Sequence, residues 1–371
     1  MQSEEFLQSR LLARREQHAF RALRLPAGQV DFCSNDYLGL ASGAAMHARV
    51  QAALEAGDHR PGSTGSRLLA GNYARVEAAE QQLAAFHRAA AGLIFNSCYD
   101  ANVGLFSCVP QKGDTIVYDA LIHASIRDGI RLSHAQAFSF AHNDPDELRK
   151  KINHGSGRVF VAVESVYSMD GDEAPLAAIA ALCQELGAYL IVDEAHATGV
   201  IGAQGEGLVQ HLGLAAQCFA RVHTFGKAVG CHGAIILGSA LLRDYLVNFA
   251  RSFIYTTALP PASMAAIQAA YSLFPGMQAE RSHLQERIAE LRAGLPAGCL
   301  QPSRTPIQPI LTPGNAAARA LAQQLQDGGL DVRAILHPTV PKGQERLRVV
   351  LHSFNTSEEV ARLVKIVQAG T

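Results

Sequence analysis

The chain has 371 residues, 48% of them hydrophobic and 18% charged, with a formal net charge of −1. That length suits one large domain plus a smaller one and allows a sizeable core. The near-neutral balance speaks against nucleic acid or an anionic membrane as partner, and no apolar run reaches membrane-spanning length.

The N-terminal stretch MQSEEFLQSRLLARREQHAF is charged throughout and lacks the apolar core of a secretory signal, so the cytoplasm is the expected compartment. Seven cysteines stand at 33, 98, 108, 183, 218, 231 and 299. Their number is odd and no C-x-x-C occurs, so neither a zinc site nor a disulfide framework is expected.

In chain order, 3–25 reads as an amphipathic helix with Phe6, Leu7, Leu11 and Phe20 as apolar contacts. A short strand at 30–34 runs into Asn35-Asp-Tyr-Leu-Gly-Leu. The segment 72–87 is helical, with Val76, Ala79, Leu83 and Phe86 on one face. Strand-like runs follow at 92–95, 115–118, 158–163, 188–192, 218–222 and 234–237, with helical segments at 122–132, 144–153 and 175–186 between them. This alternation predicts an α/β fold with a mostly parallel sheet covered on both faces, and ligands beyond the carboxyl ends of its strands. After Tyr255-Thr-Thr-Ala-Leu-Pro-Pro comes a long helical stretch at 260–292 and a Pro-rich segment at 296–313. Strands at 307–311, 331–335 and 347–352 and helices at 315–327 and 357–368 complete a second α/β unit. The predicted organisation is an N-terminal segment 1–45, a large domain 46–258, and a small C-terminal domain 259–371 with its connecting helix. The first helix is expected to pack near the small domain.

The chemistry concentrates at two strand ends. Asp193-Glu-Ala-His196 follows the run 188–192, and Thr224-Phe-Gly-Lys227 follows 218–222. A buried carboxylate and a lysine so placed suit a pyridoxal phosphate enzyme. The lysine holds the cofactor as a Schiff base, and the acid keeps the pyridine nitrogen protonated. Thr224 is placed to offer a hydroxyl to a phosphate, Gly226 permits close backbone approach, and 230–233 forms a non-helical connection. Asp193-x-x-His196 can also be read as a metal pair, but no third ligand lies near, and no metal is expected. The plain reading of the same pair is a capping acid and a core histidine. At Phe95-Asn-Ser-Cys-Tyr-Asp100 a strand end turns into a helix start whose free N–H groups suit a phosphate, although most such serines only cap the helix.

Seven motifs occur in order: Asn35-Asp-Tyr-Leu-Gly-Leu, Gly62-Ser-Thr-Gly-Ser-Arg-Leu, His123-Ala-Ser, Ser168-Met-Asp-Gly-Asp, Asp193-Glu-Ala-His-Ala-Thr-Gly, Thr224-Phe-Gly-Lys and Pro338-Thr-Val-Pro. Over nearly the whole chain they resemble the α-oxoamine synthases, PLP-dependent enzymes of fold type I, the aspartate aminotransferase-like fold. Asn35–Leu40, Phe140-Ala-His-Asn143 and Tyr167-Ser-Met-Asp-Gly-Asp172 are most similar to the biotin-pathway member. That member joins L-alanine to a pimeloyl thioester, on coenzyme A or acyl carrier protein, with loss of carbon dioxide.

The resemblance implies roles residue by residue. Lys227 matches the Schiff-base lysine, Asp193 the partner of the pyridine nitrogen, and His196 the contact to the ring hydroxyl. His123 matches the histidine stacked on the ring face opposite the lysine, and is expected to orient the alanine carboxylate. Its plain reading is a surface histidine at a helix start. Ser168 and Thr224 match residues around the cofactor. Cys98 and Tyr99 stand near the phosphate, where the family commonly has Gly and Phe. Thr257 matches a residue that reaches the phosphate of a neighbouring subunit, which implies a homodimer. Arg21, Asn35, Thr339 and Arg348 match substrate-side positions, with Arg348 suited to a bidentate carboxylate pair. The alternative for Arg346 and Arg348 is a pair of solvent-facing arginines. Leu336-His337 and the segment 65–71 depart from the family pattern. Arg67 and His337 are therefore candidates for the free carboxylate of the acyl chain, against a plain reading of Arg67 as the partner of a neighbouring acid. Two other readings stand beside this one. One is a family member using glycine or serine with another acyl thioester, and the other a non-catalytic partner subunit.

Overall fold

The computed structural model describes residues 4–370 apart from 24, 26, 58 and 59. The chain forms two compact units. The larger comprises Asn35–Ser168 and Glu173–Arg281, the smaller Met1–Ser34, Met169–Asp172 and Ser282–Thr371. The helix Pro261–Leu273, expected with the C-terminal domain, groups with the larger unit.

The larger unit is built on a seven-stranded sheet. Its order is Ala91–Phe95, Ala234–Gly238, Cys218–Thr224, Tyr189–Asp193, Val159–Glu164, Thr115–Asp119 and Gln136–Phe140. Only Ala234–Gly238 runs antiparallel to its neighbours; the other pairings are parallel. Parallel strands need crossover helices, and these cover both faces. One face packs Leu93, Phe95 and Ile191 against Leu105, Phe106 and Ile126. The other packs Val117, Val161 and Val192 against Leu148, Ile179 and Leu182. Such continuous apolar runs are what strands buried on both sides require, and they made six of the seven legible. The seventh, Gln136–Phe140, lies at the sheet edge with mostly exposed side chains, so its composition carries no apolar run.

In the smaller unit Arg333–Ile335, Arg346–Val350 and Ile307–Leu311 form an antiparallel sheet, with Arg346–Val350 in the middle. The helices Asn315–Asp327 and Ser357–Gly370 belong to the same unit. Val30–Asp31 pairs in parallel with Leu330–Asp331. The segment Met169–Asp172 is fastened to this unit by an Asp170–Arg346 ion pair at 2.5 Å. Gly171 adds its carbonyl, which accepts from Ser303 and Thr305 at 2.7 and 2.8 Å.

Three expectations change. The first helix is Glu5–Glu16, shorter than 3–25, and none of its residues is buried: Phe6, Leu7 and Leu11 remain exposed. Ser3 and Arg24 lie outside the described residues. The stretch 260–292 is two helices, Pro261–Leu273 and Gln278–Gly294, because Phe274-Pro-Gly forces a 3-10 turn between them. The helix Ala44–Glu55 was missed; apart from Met46 it buries little, so it has no apolar stripe to announce it.

Candidate active site

Four strand ends in the larger unit carry the polar residues. Asp193 ends its strand in register with Glu164 on the neighbouring one. Both carboxyls are buried. Glu164 Oε1 accepts the backbone N–H of His123 at 2.5 Å. Burial, and then the negative Asp193 beside it, push the Glu164 carboxyl well above the usual carboxylate range.

Asp193 is held from two sides. Its Oδ1 accepts the backbone N–H of Ala195 at 2.9 Å, and its Oδ2 accepts Nδ2 of Asn102 at 2.8 Å. Asn102 is fully buried on the helix Cys98–Cys108, which starts where Ala91–Phe95 ends. Cys98 on the same helix points its Sγ at Asp193 Oδ2, 3.7 Å away. Burial and Asp193 push that thiol well above its ordinary pKa, so it stays protonated and unreactive.

Lys227 sits in a loop closed on itself between two antiparallel strands. Phe225 N–H donates to Gly233 at 2.8 Å, Cys231 N–H to Phe225 at 2.8 Å, and Gly230 N–H to Lys227 at 2.7 Å. Gly230 must be glycine: its φ is +68°, and a Cβ there would lie 2.6 Å from the Ala41 nitrogen. At Gly226, by contrast, a Cβ would meet no atom closer than 3.8 Å, so a notch stands open beside Lys227 and Thr224. Thr224 ends the strand and accepts Gly226 N–H at 3.3 Å.

The side chain of Lys227 meets Nε2 of His196 at 2.7 Å. His196 in turn meets the Tyr37 hydroxyl through Nδ1 at 2.6 Å, and Tyr37 donates to Asn35 at 3.1 Å. Thus Asn35, His196 and Lys227 are brought together, and Tyr37, fully buried, is the link. Tyr37 lies inside the Asn35-Asp-Tyr motif, yet its part is visible only once the chain is folded.

His123 caps the helix Ala124–Leu132 through its ring, which accepts Ser125 N–H. His123 is exposed as a residue, yet desolvation of its ring lowers its pKa from the ordinary value. Asp119 organises the nearby Phe140-Ala-His-Asn segment, accepting from His142 and from Asn143 N–H at 2.9 Å each. At the start of Cys98–Cys108, Ser97 caps Asp100 N–H at 3.0 Å, whereas the N–H groups of Cys98 and Tyr99 meet no acceptor among the described residues. The Tyr99 hydroxyl bonds to Asp128. Ser168 lies half-buried in a turn.

Thr257 is exposed; its carbonyl accepts from Asn96 at 2.8 Å. The adjoining Tyr255 is exposed as well. In the smaller unit Arg21 bonds to Thr339 Oγ1 at 3.2 Å, beside a cavity of about 440 Å³. Leu336, His337, Arg319 and Arg333 share that cavity. Arg348 lies on the central strand opposite Arg333. The solvent-facing alternative for the arginine pair is incorrect: the strand is covered on both sides, and Arg346 and Arg348 are 1% and 9% exposed.

Arg67 is engaged rather than available. Its guanidinium bonds both oxygens of buried Glu80 at 2.8 and 3.2 Å and Asn72 at 2.8 Å. The expectation that it meets an acyl carboxylate gives way to the plain reading, because a bidentate buried pair leaves few donors spare.

Behind the site lies a second polar group that sequence reading did not find. Glu194, His87 and His223 are fully buried. The His87 and His223 rings lie 4.0 Å apart, and Thr198 Oγ1 meets His223 at 2.8 Å. Burial pushes Glu194 up to about 7 and His87 down to about 3. No metal-binding cluster of His, Cys, Asp or Glu exists among the described residues.

A PLP-like group fits this donor set. A carboxylate and an amine, each at a strand end, share the larger unit with a protein-lined notch and two unpaired backbone N–H groups, which suits an anionic ring-bearing ligand.

Residues 27–367 match the model of the family "Aminotransferase class I and II". An 8-amino-7-oxononanoate synthase from Emericella nidulans is 47% identical, covering 92% of this chain and 89% of that protein. One from Marinobacter nauticus is 45% identical over 91% of this chain and 86% of its own. Among solved structures, a serine palmitoyltransferase from S. paucimobilis bound to PLP and myriocin superposes with a TM-score of 0.90 at 27% identity, covering 99% of this chain and 96% of that one. An 8-amino-7-oxononanoate synthase from Francisella tularensis gives 0.80 at 29% identity, covering 93% and 98%.

Proposed function

The chain belongs to the class I and II aminotransferase family, with the PLP-dependent fold type I of the α-oxoamine synthases, and from that we propose that it is an 8-amino-7-oxononanoate synthase. L-Alanine and a pimeloyl thioester are joined; carbon dioxide and the carrier thiol leave. The observation that carries the reading is Lys227 beside His196, on the strand end next to Asp193.

When bound, PLP draws electrons from the α-carbon of the amino acid. Lys227 Nζ would hold the group covalently, and its free amine is the base at hand for the α-proton of alanine. Asp193, anchored by Asn102 and Ala195, keeps the proton on the pyridine nitrogen. His196 would meet the ring hydroxyl, and Thr224 with the Cys98 and Tyr99 N–H groups would hold the phosphate. Ser168 lines the same group. His123 would cover the ring and orient the alanine carboxylate. Arg348 supplies a guanidinium for that carboxylate, and Asn35, Arg21 and Thr339 are further substrate-side residues.

The functional form we propose is a homodimer, with Thr257 serving the partner's phosphate site. Its exposed position, and the exposed Leu68, Leu69, Phe249 and Tyr255, support that reading. The seven unpaired thiols go with a reducing, cytoplasmic setting.

The test is mass spectrometry of products with alanine, glycine or serine offered with pimeloyl or acetyl thioesters. The expected product is 8-amino-7-oxononanoate from alanine and pimeloyl thioester. Turnover favouring glycine or serine would move the chain to another branch of the family. Borohydride should fix PLP on Lys227; label on Lys112 or Lys342 would overturn that assignment.

A further inference from the structure

The hydrogen bonds between Asp193 and His123 have a direction. A carboxylate only accepts, so an N–H of Asn102 Nδ2 faces Asp193 Oδ2 at 2.8 Å. The same nitrogen lies 3.0 Å from Ser125 Oγ, which takes its second hydrogen. Turning the amide over would set Oδ1 against the carboxylate, oxygen against oxygen, so the charge of Asp193 decides the orientation. Ser125 Oγ lies 2.7 Å from Nδ1 of His123 and is placed to donate its own hydrogen there. Ser125 N–H aims at the same ring nitrogen from 3.2 Å. With two donors converging on Nδ1, that atom has no acceptor for a hydrogen of its own.

We infer that Asn102 and Ser125 are positioning residues that transmit the charge of Asp193 to His123 and hold its neutral ring with the hydrogen on Nε2. This rests on the proposed function for its catalytic meaning. An Nε2–H edge donates to a carboxylate or carbonyl oxygen of the substrate and does not accept a proton there. His123 is thereby made a hydrogen-bond donor rather than a base, which leaves the α-proton to Lys227. Both positioning side chains are fully buried, and neither touches substrate or cofactor in this reading. The titratable groups facing His123 are Asp193, Lys227 and Asp128, with Glu164 at its backbone N–H. Desolvation lowers the pKa of the ring, in the direction of the neutral form that the two donors at Nδ1 require.

The test is nitrogen NMR of protein labelled in its histidine rings, with and without PLP, with His123 assigned through His123→Asn. The wild-type ring should show an unprotonated Nδ1 and a protonated Nε2. Ser125→Ala and Asn102→Ala should turn His123 into a tautomer mixture, while Ser125→Thr, which keeps the hydroxyl, should retain the wild-type pattern. In the holoenzyme Ser125→Ala should lower kcat/KM for alanine about tenfold, with Ser125→Thr within about twofold. A wild-type ring with hydrogen on Nδ1 overturns the inference without any variant, so a variant that fails to fold does not protect it. An unchanged tautomer in folded Ser125→Ala and Asn102→Ala overturns it equally. Failure of the proposed function would instead appear as wild-type protein that makes no product from alanine, whatever the tautomer.

Discussion

The side-chain nitrogen of Lys227 lies 2.7 Å from Nε2 of His196, on the far side of whose ring Nδ1 meets the Tyr37 hydroxyl at 2.6 Å. Tyr37 has one hydrogen and gives it to Asn35. His196 therefore donates to Tyr37 from Nδ1 and receives Lys227 at Nε2. Tyr37→Phe removes that acceptor from a buried N–H, a cost of about 1–3 kcal/mol. Turnover should fall about tenfold or more, while borohydride still fixes PLP at Lys227. Turnover within twofold of wild type would show that the chain of hydrogen bonds does not orient the histidine.

Asp193→Asn should still bind PLP but lose the anion that holds the ring proton. Removing one partner from a buried charge pair costs about 3–5 kcal/mol, so the rate should fall at least about a hundredfold. Single-turnover kinetics with alanine measures it, and a variant within threefold of wild type contradicts the role.

Glu194 makes stability depend on pH with an unusual sign. Its native carboxyl keeps its proton up to about 7, against 4.5 for the ordinary group. Between those values the native state binds more protons than the unfolded one, so stability falls as pH rises through the window. Glu194→Gln removes the slope, and variant minus wild-type stability should grow by about 3 kcal/mol from pH 4.5 to 7. His87, held near 3, works the other way but is common to both proteins and cancels in the difference. Urea titrations at several pH values give the curves; parallel curves would mean that Glu194 ionises normally.

Arg67→Leu should slow pimeloyl and uncharged heptanoyl thioesters alike, because its guanidinium is spent on Glu80. The variant leaves Glu80 buried without its bidentate partner and should lose about 3–5 kcal/mol of stability. A selective loss on pimeloyl thioester would return Arg67 to the acyl site.

The sheet was legible because its strands are buried on both faces and read as unbroken apolar runs, each ended by a residue of different chemistry. Asp193 and Lys227 stood out for that reason. Asn102, Ser125 and Tyr37 did not: each is an ordinary polar residue in its local pattern and gains its part only through contacts 91, 23 and 159 residues away. Glu164 was overlooked because a single acid after a strand is a common cap; its register with Asp193 is a property of the sheet. For the arginine pair at 346 and 348, the alternation in the strand allows a solvent-facing side and does not reveal that both faces are covered. For Arg67, sequence position suggested a ligand, while Glu80, 13 residues on, had already taken the charge.

The loop that bears Lys227 is pinned at both ends in adjacent strands and packs Phe225, Ala228 and Val229 into the protein with no measurable exposure. A protease needs several residues of extended chain on either side of the bond it cuts, and this loop cannot yield them without parting Cys218–Thr224 from Ala234–Gly238. Cleavage by trypsin after Lys227 should therefore keep pace with global unfolding, while lysines on surface helices such as Lys150 and Lys151 are cut through local fraying. The residue that carries the chemistry doubles as a built-in reporter of whether the whole sheet is intact.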